Sequence, residues 1–246
     1  FDVCNDVQIL YLAGVAFGDF QKDLQDFDAT VLHETIKDFH NTRKRLEQLF
    51  ADADQDEYGR AAEVQAELSY IKSVREKACS LIDLLEKGEL PLRVTHNDTK
   101  INNVLFDPET KDPLTVIDLD TVMPGLVAYD FGDAVRFSAN TTAEDEKDIR
   151  KVSLDLEQFK SFAEGFLSCL KGDLTPNEVS TLALGSFCIT IELAARFLDD
   201  YLTGDKYFKT CYEGHNLVRT KAQLALAKDM EKKLDDMQEI VYRSME

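Results

Sequence analysis

The stretch VTHNDTKINNVLF, Val94 to Phe106, combines β-forming apolar residues with a run of polar side chains. Short β-rich runs flank its polar centre, LRVT at 92–95 and VLF at 104–106. The next such run is LTVIDL at 114–119, and DPETKDP at 107–113 between them is typical of a hairpin turn. The sequence therefore predicts a polar loop between short strands, followed by a β-hairpin.

The prolines separate this segment from the regions on either side. None precedes Pro91, four lie between residues 91 and 124, and only Pro176 follows. Because proline interrupts helices, the outer regions are free to be helical and the middle is expected to hold loops and strands. Apolar spacings of three and four predict helices over 6–22, 41–50, 59–87, 155–170, 177–202 and 216–242. We expect an α+β fold, mostly α, in one unit over residues 1–246, with a small β-hairpin element.

The charge balance limits the kinds of partner. The chain has 28 Lys and Arg against 47 Asp and Glu, a formal net charge of −19. Nucleic acids and anionic lipid surfaces are bound chiefly through basic side chains, so neither is an expected partner. A phosphorylated ligand remains compatible if metal ions or local cations hold it.

The cysteines and the apolar runs point to a reducing, cytoplasmic setting. The five cysteines are odd in number and form no C-x-x-C pair, which argues against a disulfide framework or a zinc site; they are Cys4, Cys79, Cys169, Cys188 and Cys211. The longest apolar runs, such as 182–191, are shorter than the ~20 residues that span a bilayer. We expect no membrane segment.

The polar loop carries a recognisable spacing of an acid and an amide. His96, Asp98 and Asn103 stand as H-x-D-x-x-x-x-N, the spacing of a phosphoryl-transfer catalytic loop. Asp118 follows twenty residues after Asp98, where the returning hairpin strand can bring it beside Asn103. These hard oxygen ligands suit Mg²⁺, and the acid can orient a hydroxyl. The alternative is that these residues only form turns and caps, positions that Asp and Asn favour.

Longer stretches carry a resemblance to a known family. THNDTKINNVLFD (95–107), VIDLDTVMPG (116–125) and YDFGDAVRF (129–137) resemble the aminoglycoside phosphotransferase and choline kinase superfamily, in particular the N-acetylhexosamine 1-kinases. The similarity extends through residues 20–42, 196–208 and 213–224, so it spans most of the chain. It implies a protein-kinase-like C-terminal lobe.

The resemblance also implies roles at the loop. Asp98 would be the catalytic base or the acid that orients the hydroxyl, with Asn103 and Asp118 as Mg²⁺ ligands. Asp120 would assist the metal or cap the turn into the next residue. Lys100 would reach the transferred phosphoryl group; the alternative is a solvated loop lysine.

Other implied roles concern the substrate and the support of the loop. Phe137, Arg196 and Tyr207 are the candidates for binding a sugar. Arg196 has an alternative partner in Glu192, four residues earlier on the same predicted helix. The resemblance makes His96 a structural histidine near the site, and Asp130 and Asp133 acids that brace the loop and start a helix.

The implied activity is transfer of the ATP γ-phosphoryl group, with Mg²⁺, to a hydroxyl of a small molecule, most simply an N-acetylhexosamine in carbohydrate metabolism. The alternatives are an aminoglycoside or choline-type kinase and, from another class, an inactive kinase-like binding module. None of Gly14, Gly18, Gly59 and Gly88 lies in the strand-loop-strand context of a phosphate loop. We therefore expect that the N-terminal nucleotide-binding lobe is absent and that this chain alone is inactive.

Overall fold

The computed structural model describes residues 6–246, and it is mostly helical with two small sheets. The helices are α1 (Val7–Asp23), α2 (Thr42–Gln55), α3 (Gln65–Ser73), α4 (Arg75–Glu86), α5 (Val127–Ser138), α6 (Leu156–Ser168), α7 (Pro176–Leu202) and α8 (His215–Met245). The strands are β1 (Arg93–Thr95), β2 (Val104–Phe106), β3 (Pro113–Val116) and β4 (Met123–Gly125). The predicted α+β class is confirmed. Cys4 lies outside the described residues, and the other four cysteines are free.

Helix α7 forms the centre of the core. It begins with a capping box, in which Thr175 and Glu178 satisfy each other's backbone N–H groups, followed by Pro176. It packs against α2, α4, α5 and α8, so apolar residues lie on most of its surface. This all-round burial makes α7 the scaffold on which the other elements are placed.

The same helix is also long and apolar enough, by length and composition, to cross a membrane. Its mean hydropathy over the most apolar 18-residue window is 1.5, and 83% of that window is buried inside the protein. The sequence-based expectation that no segment reaches this length was therefore wrong. Burial in the core accounts for the apolar composition of α7.

Close approach of α5 to α7 depends on two glycines. A Cβ added at Gly185 would lie 2.3 Å from the Ala128 carbonyl oxygen, and one at Gly132 would lie 2.7 Å from the Gly185 backbone. No side chain fits at such distances. The crossing therefore sets α5, with its N-terminal turn, directly against the central helix.

The strands form two separate antiparallel pairs. β2 and β3 make the predicted hairpin, in which the Asp107 carboxylate accepts hydrogen bonds from Glu109 and Thr110 N–H. β1 pairs with β4, with Thr95 opposite Met123. β4 was not predicted, because Met123-Pro124-Gly125 has no β-rich pattern; its place is fixed by the partner strand.

Two helix predictions were wrong. The continuous helix over 59–87 is instead a 3₁₀ turn, α3 and α4, with a break at Val74, although Gly88 follows its end at a positive φ of 73° as expected. The apolar periodicity continues across the break because both helices bury the same side. Helix α5 was not among the helices predicted from apolar spacing, although Asp130 and Asp133 were expected to start a helix; its polar side chains Asp130, Asp133 and Arg136 are buried together with its apolar ones.

We expect Gly185→Ala to destabilise the protein by about 1–3 kcal/mol, because the new methyl group must push α5 away from α7. Chemical denaturation measures the change in the free energy of unfolding. Ser180→Ala, at an exposed position of the same helix, is the control and should change it by less than about 0.5 kcal/mol. Equal effects of the two variants would contradict the close crossing.

Candidate functional site

The polar loop is held by one buried carboxylate. Asp130, in the first turn of α5, is 1% exposed. Its Oδ2 accepts hydrogen bonds from His96 N–H (2.8 Å) and the Gln21 amide (2.6 Å), and its Oδ1 accepts one from Asn97 N–H (2.7 Å). Asn97 has a φ of 64°, a left-handed conformation that is costly outside glycine. The carboxylate of Asp130 therefore fixes the backbone turn just before Asp98.

Burial raises the pKa of the Asp130 carboxyl, and the His96 and Asn97 N–H donors oppose that rise. A further bond ties the loop to the same residue, because Thr99 Oγ1 donates to the Asp130 carbonyl oxygen at 2.6 Å. The two residues before Asp98 and the one after it thus bond to Asp130.

His96 lies in the core beneath the loop. Its ring is fully buried, and the rings of Phe17 and Phe20 meet it edge-on. Nε2 lies 2.9 Å from the Ile117 carbonyl oxygen, and Nδ1 accepts the Asp98 N–H at 3.3 Å. The structure thus places His96 where it supports the loop from behind, the kind of position that the sequence suggested.

Asp98 lies at the front of the loop with two partners. Lys100 Nζ is 2.6 Å from Asp98 Oδ1, and Asn103 Nδ2 donates to Asp98 Oδ2 at 3.0 Å. The Asp98 side chain is 27% exposed, so it is reachable from solvent. Since the Asn103 amide nitrogen is bonded to Asp98, its amide oxygen is left to serve as a ligand.

The two acids at the end of the hairpin are exposed. Asp118 has a φ of 61°, and in the described part of the chain neither its carboxylate nor that of Asp120 has a hydrogen bond or an ion pair. Ile117 N–H donates to the Asn103 carbonyl oxygen at 2.9 Å, which joins the residue before Asp118 to the candidate amide ligand. The hairpin therefore brings the two segments together as predicted.

The oxygen donors of Asn103, Asp118 and Asp120 fit the preference of Mg²⁺ for hard ligands. Bound there, Mg²⁺ would neutralise the charge of a transferring phosphoryl group. Among residues 6–246 no three His, Cys, Asp or Glu side chains are grouped to hold a metal. The Mg²⁺ assignment therefore depends on an amide as well as carboxylates, and it stays a prediction.

A cavity of about 600 Å³, here called the main cavity, opens beside Asp98. Its wall includes both loop residues and the three residues predicted to bind a sugar: Asp98, Lys100, Phe137, Arg196 and Tyr207. These residues come from the loop, α5, α7 and the segment after α7, so only folding brings them together. The volume suits a small molecule.

Arg196 does not pair with Glu192, which was the alternative role considered from the sequence. Glu192 is fully buried and bonds His40 Nδ1 (2.8 Å) and Thr42 Oγ1 (2.7 Å). Among the described residues no carboxylate lies within ion-pair distance of the Arg196 guanidinium. It lies instead over the rings of Phe39 (5.1 Å) and Phe208 (5.5 Å). Arg196 is therefore available to a ligand.

Asp133 lies in the wall of the main cavity, although sequence analysis gave it only a bracing role. It pairs with Arg136 at 2.9 Å, and Arg136 also reaches Glu144 at 3.0 Å. Burial alone would raise the pKa of Asp133, but the charges of Arg136 and Lys100 hold it below its usual value. Asp133 is therefore an ionised acid that already has its cation.

Sequence analysis missed Phe39, Phe208 and Arg219, which also line the main cavity. Phe208 follows Tyr207 directly, and this aromatic pair after a helix was the available signal. Phe39 and Arg219 lie far from the loop in the chain and carry no local motif. Only packing on α7 places them here.

A smaller cavity of about 260 Å³ adjoins the main one and shares Arg196, Tyr207 and Phe208 with it. Asp199 lies in its wall, with Oδ1 buried and without a hydrogen-bond partner in the described structure. Burial, together with a hydrogen bond and charge from Asp52, raises the pKa of Asp199 to about 7. Asp199 is therefore partly protonated near neutral pH.

Solved structures of similar fold are small-molecule kinases. An ethanolamine kinase from Plasmodium vivax matches with a TM-score of 0.56 and 13% identity over 91% of this chain and 62% of its own. A microcompartment-associated aminopropanol kinase gives 0.54 and 17%, over 94% and 64%. A choline kinase from Cryptosporidium parvum gives 0.52 and 13%, over 94% and 67%. The chain thus spans 62–67% of the length of these proteins, and it shares their fold.

The protein therefore has the fold of the aminoglycoside phosphotransferase and choline kinase-like proteins, as the sequence predicted. The phosphotransferase enzyme family model matches residues 5–159, which include the polar loop, the hairpin and α5. The chain belongs to the phosphotransferase enzyme family.

We expect Asp130→Asn to lower the free energy of unfolding by about 1–3 kcal/mol. An amide keeps one acceptor oxygen, so its NH₂ group must face either His96 N–H or Asn97 N–H. Urea denaturation measures the loss. Gln21→Leu, which removes one donor to Asp130 but leaves both backbone bonds, should cost less; a greater loss in that control would contradict the role of Asp130.

We expect Asp199→Asn to stabilise the protein, and to do so more at pH 8 than at pH 5. The folded-state pKa of about 7 is above the ordinary value of 3.8, so protonation favours the folded state. That contribution is complete below the unfolded pKa and is lost as the pH rises through about 7. An amide cannot ionise, so it avoids the loss.

Thermal melting of wild type and Asp199→Asn from pH 5 to 8 measures this difference. Asp235→Asn, at an exposed position of α8, is the control and should show no pH-dependent difference. A constant offset between wild type and Asp199→Asn at every pH would contradict the raised pKa.

Proposed function

We propose that the chain is the catalytic and acceptor-binding part of a small-molecule kinase that transfers the ATP γ-phosphoryl group to a hydroxyl of an N-acetylhexosamine. The observation that carries this proposal is a shared cavity wall. Asp98 and its partner Lys100 line the same space as Arg196 and the aromatic side chains around it. A hydroxyl bound in that space would lie beside the acid of the catalytic loop.

Asp98, Lys100 and Asn103 would each have one role in the transfer. The acceptor oxygen forms a bond to the γ-phosphorus as the bond to the bridging oxygen of ATP breaks, and the hydroxyl proton passes to Asp98. Lys100 is 2.6 Å from Asp98 Oδ1, a position from which its charge can stabilise the transferring group. Asn103 fixes the other oxygen of Asp98.

The charges around the main cavity favour a neutral acceptor over a cationic alcohol. Each carboxylate in its wall already has a side-chain partner: Asp98 pairs with Lys100, Asp133 and Glu144 pair with Arg136, and the buried Glu192 bonds His40 Nδ1 and Thr42 Oγ1. Arg196 has no carboxylate partner among the described residues. An ammonium group would therefore find no free carboxylate and would meet an unpaired guanidinium, whereas sugar hydroxyl and acetamide oxygens can accept its N–H groups.

Two further points extend the proposal. The chain spans 62–67% of similar kinases, so we propose that a second lobe of the complete protein supplies the rest of the ATP site. We also propose a cytoplasmic role in carbohydrate metabolism, in line with the free cysteines.

The first test compares acceptors in the complete protein with ATP and Mg²⁺. We expect turnover with N-acetylglucosamine or N-acetylgalactosamine to exceed that with choline, ethanolamine and unacetylated aminoglycosides, measured as kcat/KM. Preference for the amines would support the choline-type alternative. Absence of both turnover and Mg²⁺-dependent nucleotide binding would favour the inactive binding module.

The second test is Asp98→Asn, which removes the proton acceptor. We expect kcat to fall by roughly 10²–10⁴-fold with the melting temperature little changed. Asp112→Asn, an exposed acid in the hairpin turn, is the matched control and should retain wild-type kcat. Retained turnover by Asp98→Asn would refute the role of Asp98.

A further inference from the structure

The segment that follows α7 forms one wall of the main cavity. Tyr207 and Phe208 lie there beside Lys209, and the Phe208 ring packs 4.6 Å from the Phe197 ring. The Arg196 guanidinium lies over both Tyr207 and Phe208. Tyr207 is 68% exposed, so few of its own contacts fix its position. The backbone must therefore set where this wall stands.

Asp200 supplies that fixation. Its Oδ1 accepts hydrogen bonds from Lys206 N–H and Tyr207 N–H, both at 2.8 Å. Its Oδ2 accepts one from Phe208 N–H at 3.0 Å and one from Asn216 Nδ2 at 2.8 Å. The residue is 4% exposed. One buried carboxylate thus binds three successive backbone N–H groups, which determines the path of the segment 206–208.

A second acid holds the residue just before this segment. Asp205 has a φ of 57°, and its N–H donates to the Asp200 carbonyl oxygen at 2.7 Å. Its carboxylate accepts hydrogen bonds from Asn216 Nδ2 (2.8 Å) and Arg60 Nη1 (2.7 Å). Asn216 therefore donates to both acids, and the segment is tied to α7, to α8 and to Arg60, which precedes the 3₁₀ turn before α3.

Asp200 does not itself line the main cavity. Every acceptor position described for its carboxylate is directed at the 206–208 backbone or at Asn216. Asp200 does lie in the wall of the smaller cavity, but its carboxylate oxygens are taken up by these donors. Its effect on a molecule in the main cavity would therefore pass through Tyr207 and Phe208.

We propose that Asp200 is a positioning residue for acceptor recognition: it holds segment 206–208 so that Tyr207 and Phe208 form a fixed wall of the main cavity around Arg196. The nature of the acceptor rests on the proposed function. A wall that is already in place binds without the cost of ordering a loop.

Asp200→Asn in the complete protein tests the proposal. The amide replaces one acceptor oxygen with NH₂, so a donor would face either two backbone N–H groups or Phe208 N–H and Asn216. We expect the acceptor KM to rise roughly 10- to 100-fold, with kcat and the ATP KM within about twofold of wild type. Hydrogen exchange of the amides of 206–208 should become faster.

Asp235→Asn is the control, since it makes the same change at an exposed acid of α8 that bonds none of these amides and lines neither cavity. It should leave the acceptor KM and the exchange of 206–208 unchanged. Tyr207→Ala changes an exposed side chain and should fold normally, with a raised acceptor KM. If Asp200 acts through this wall, the effects of Asp200→Asn and Tyr207→Ala will not add in the double variant.

The outcomes separate the two proposals. An unchanged acceptor KM in Asp200→Asn, additive effects in the double variant, or equal losses in the acceptor KM, the ATP KM and kcat would each overturn the positioning role. If wild type phosphorylates no sugar, the proposed acceptor is wrong. In that case the role of Asp200 is decided by the same KM comparison with whichever alcohol the protein phosphorylates. If it phosphorylates no alcohol, the hydrogen exchange of the 206–208 amides decides it.

Discussion

The Asp130 carboxylate is the interaction on which the candidate site depends. It lies in the first turn of α5 and accepts backbone N–H groups from His96 and Asn97. The left-handed Asn97 would be strained without those bonds, and a loop so held presents Asp98 outward. Since α5 is pressed against α7 at Gly185, the position of the polar loop is set by the central helix.

Helix α7 positions the opposite side of the site, also through buried acids. Its buried Glu192 holds His40 and Thr42, and so fixes the segment that brings Phe39 over Arg196. At its C-terminal end, Asp200 holds the wall formed by the following segment. Three buried acids on α5 and α7 thus orient backbone or side chains that face one cavity. Buried charges of this kind are costly unless they are fully bonded, which explains the number of donors around each.

The acids that give the net charge of −19 are paired in some parts of the molecule and unpaired in others. The acids in the main cavity wall all have side-chain partners, whereas Arg196 has no carboxylate partner among the described residues. Asp118 and Asp120, at the hairpin end, are exposed, and their carboxylates have no hydrogen bond or ion pair in the described structure. The overall acidity therefore says little about the charge of the acceptor. What matters is which carboxylates remain unpaired.

The sequence by itself determined the mostly helical class, the hairpin and the spacing of His96, Asp98 and Asn103, because local periodicity, turn residues and a short motif encode these features. It could not give the break at Val74, because the apolar spacing continues across it, or the extent of helix α5, because the charged residues of that helix are buried by tertiary packing. Nor could it pair Glu192 with His40, 152 residues away, rather than with nearby Arg196. Only the tertiary structure decided which acids are satisfied and that Arg196 has no carboxylate partner among the described residues, because those pairings join segments that are distant in the chain and meet through packing on α7.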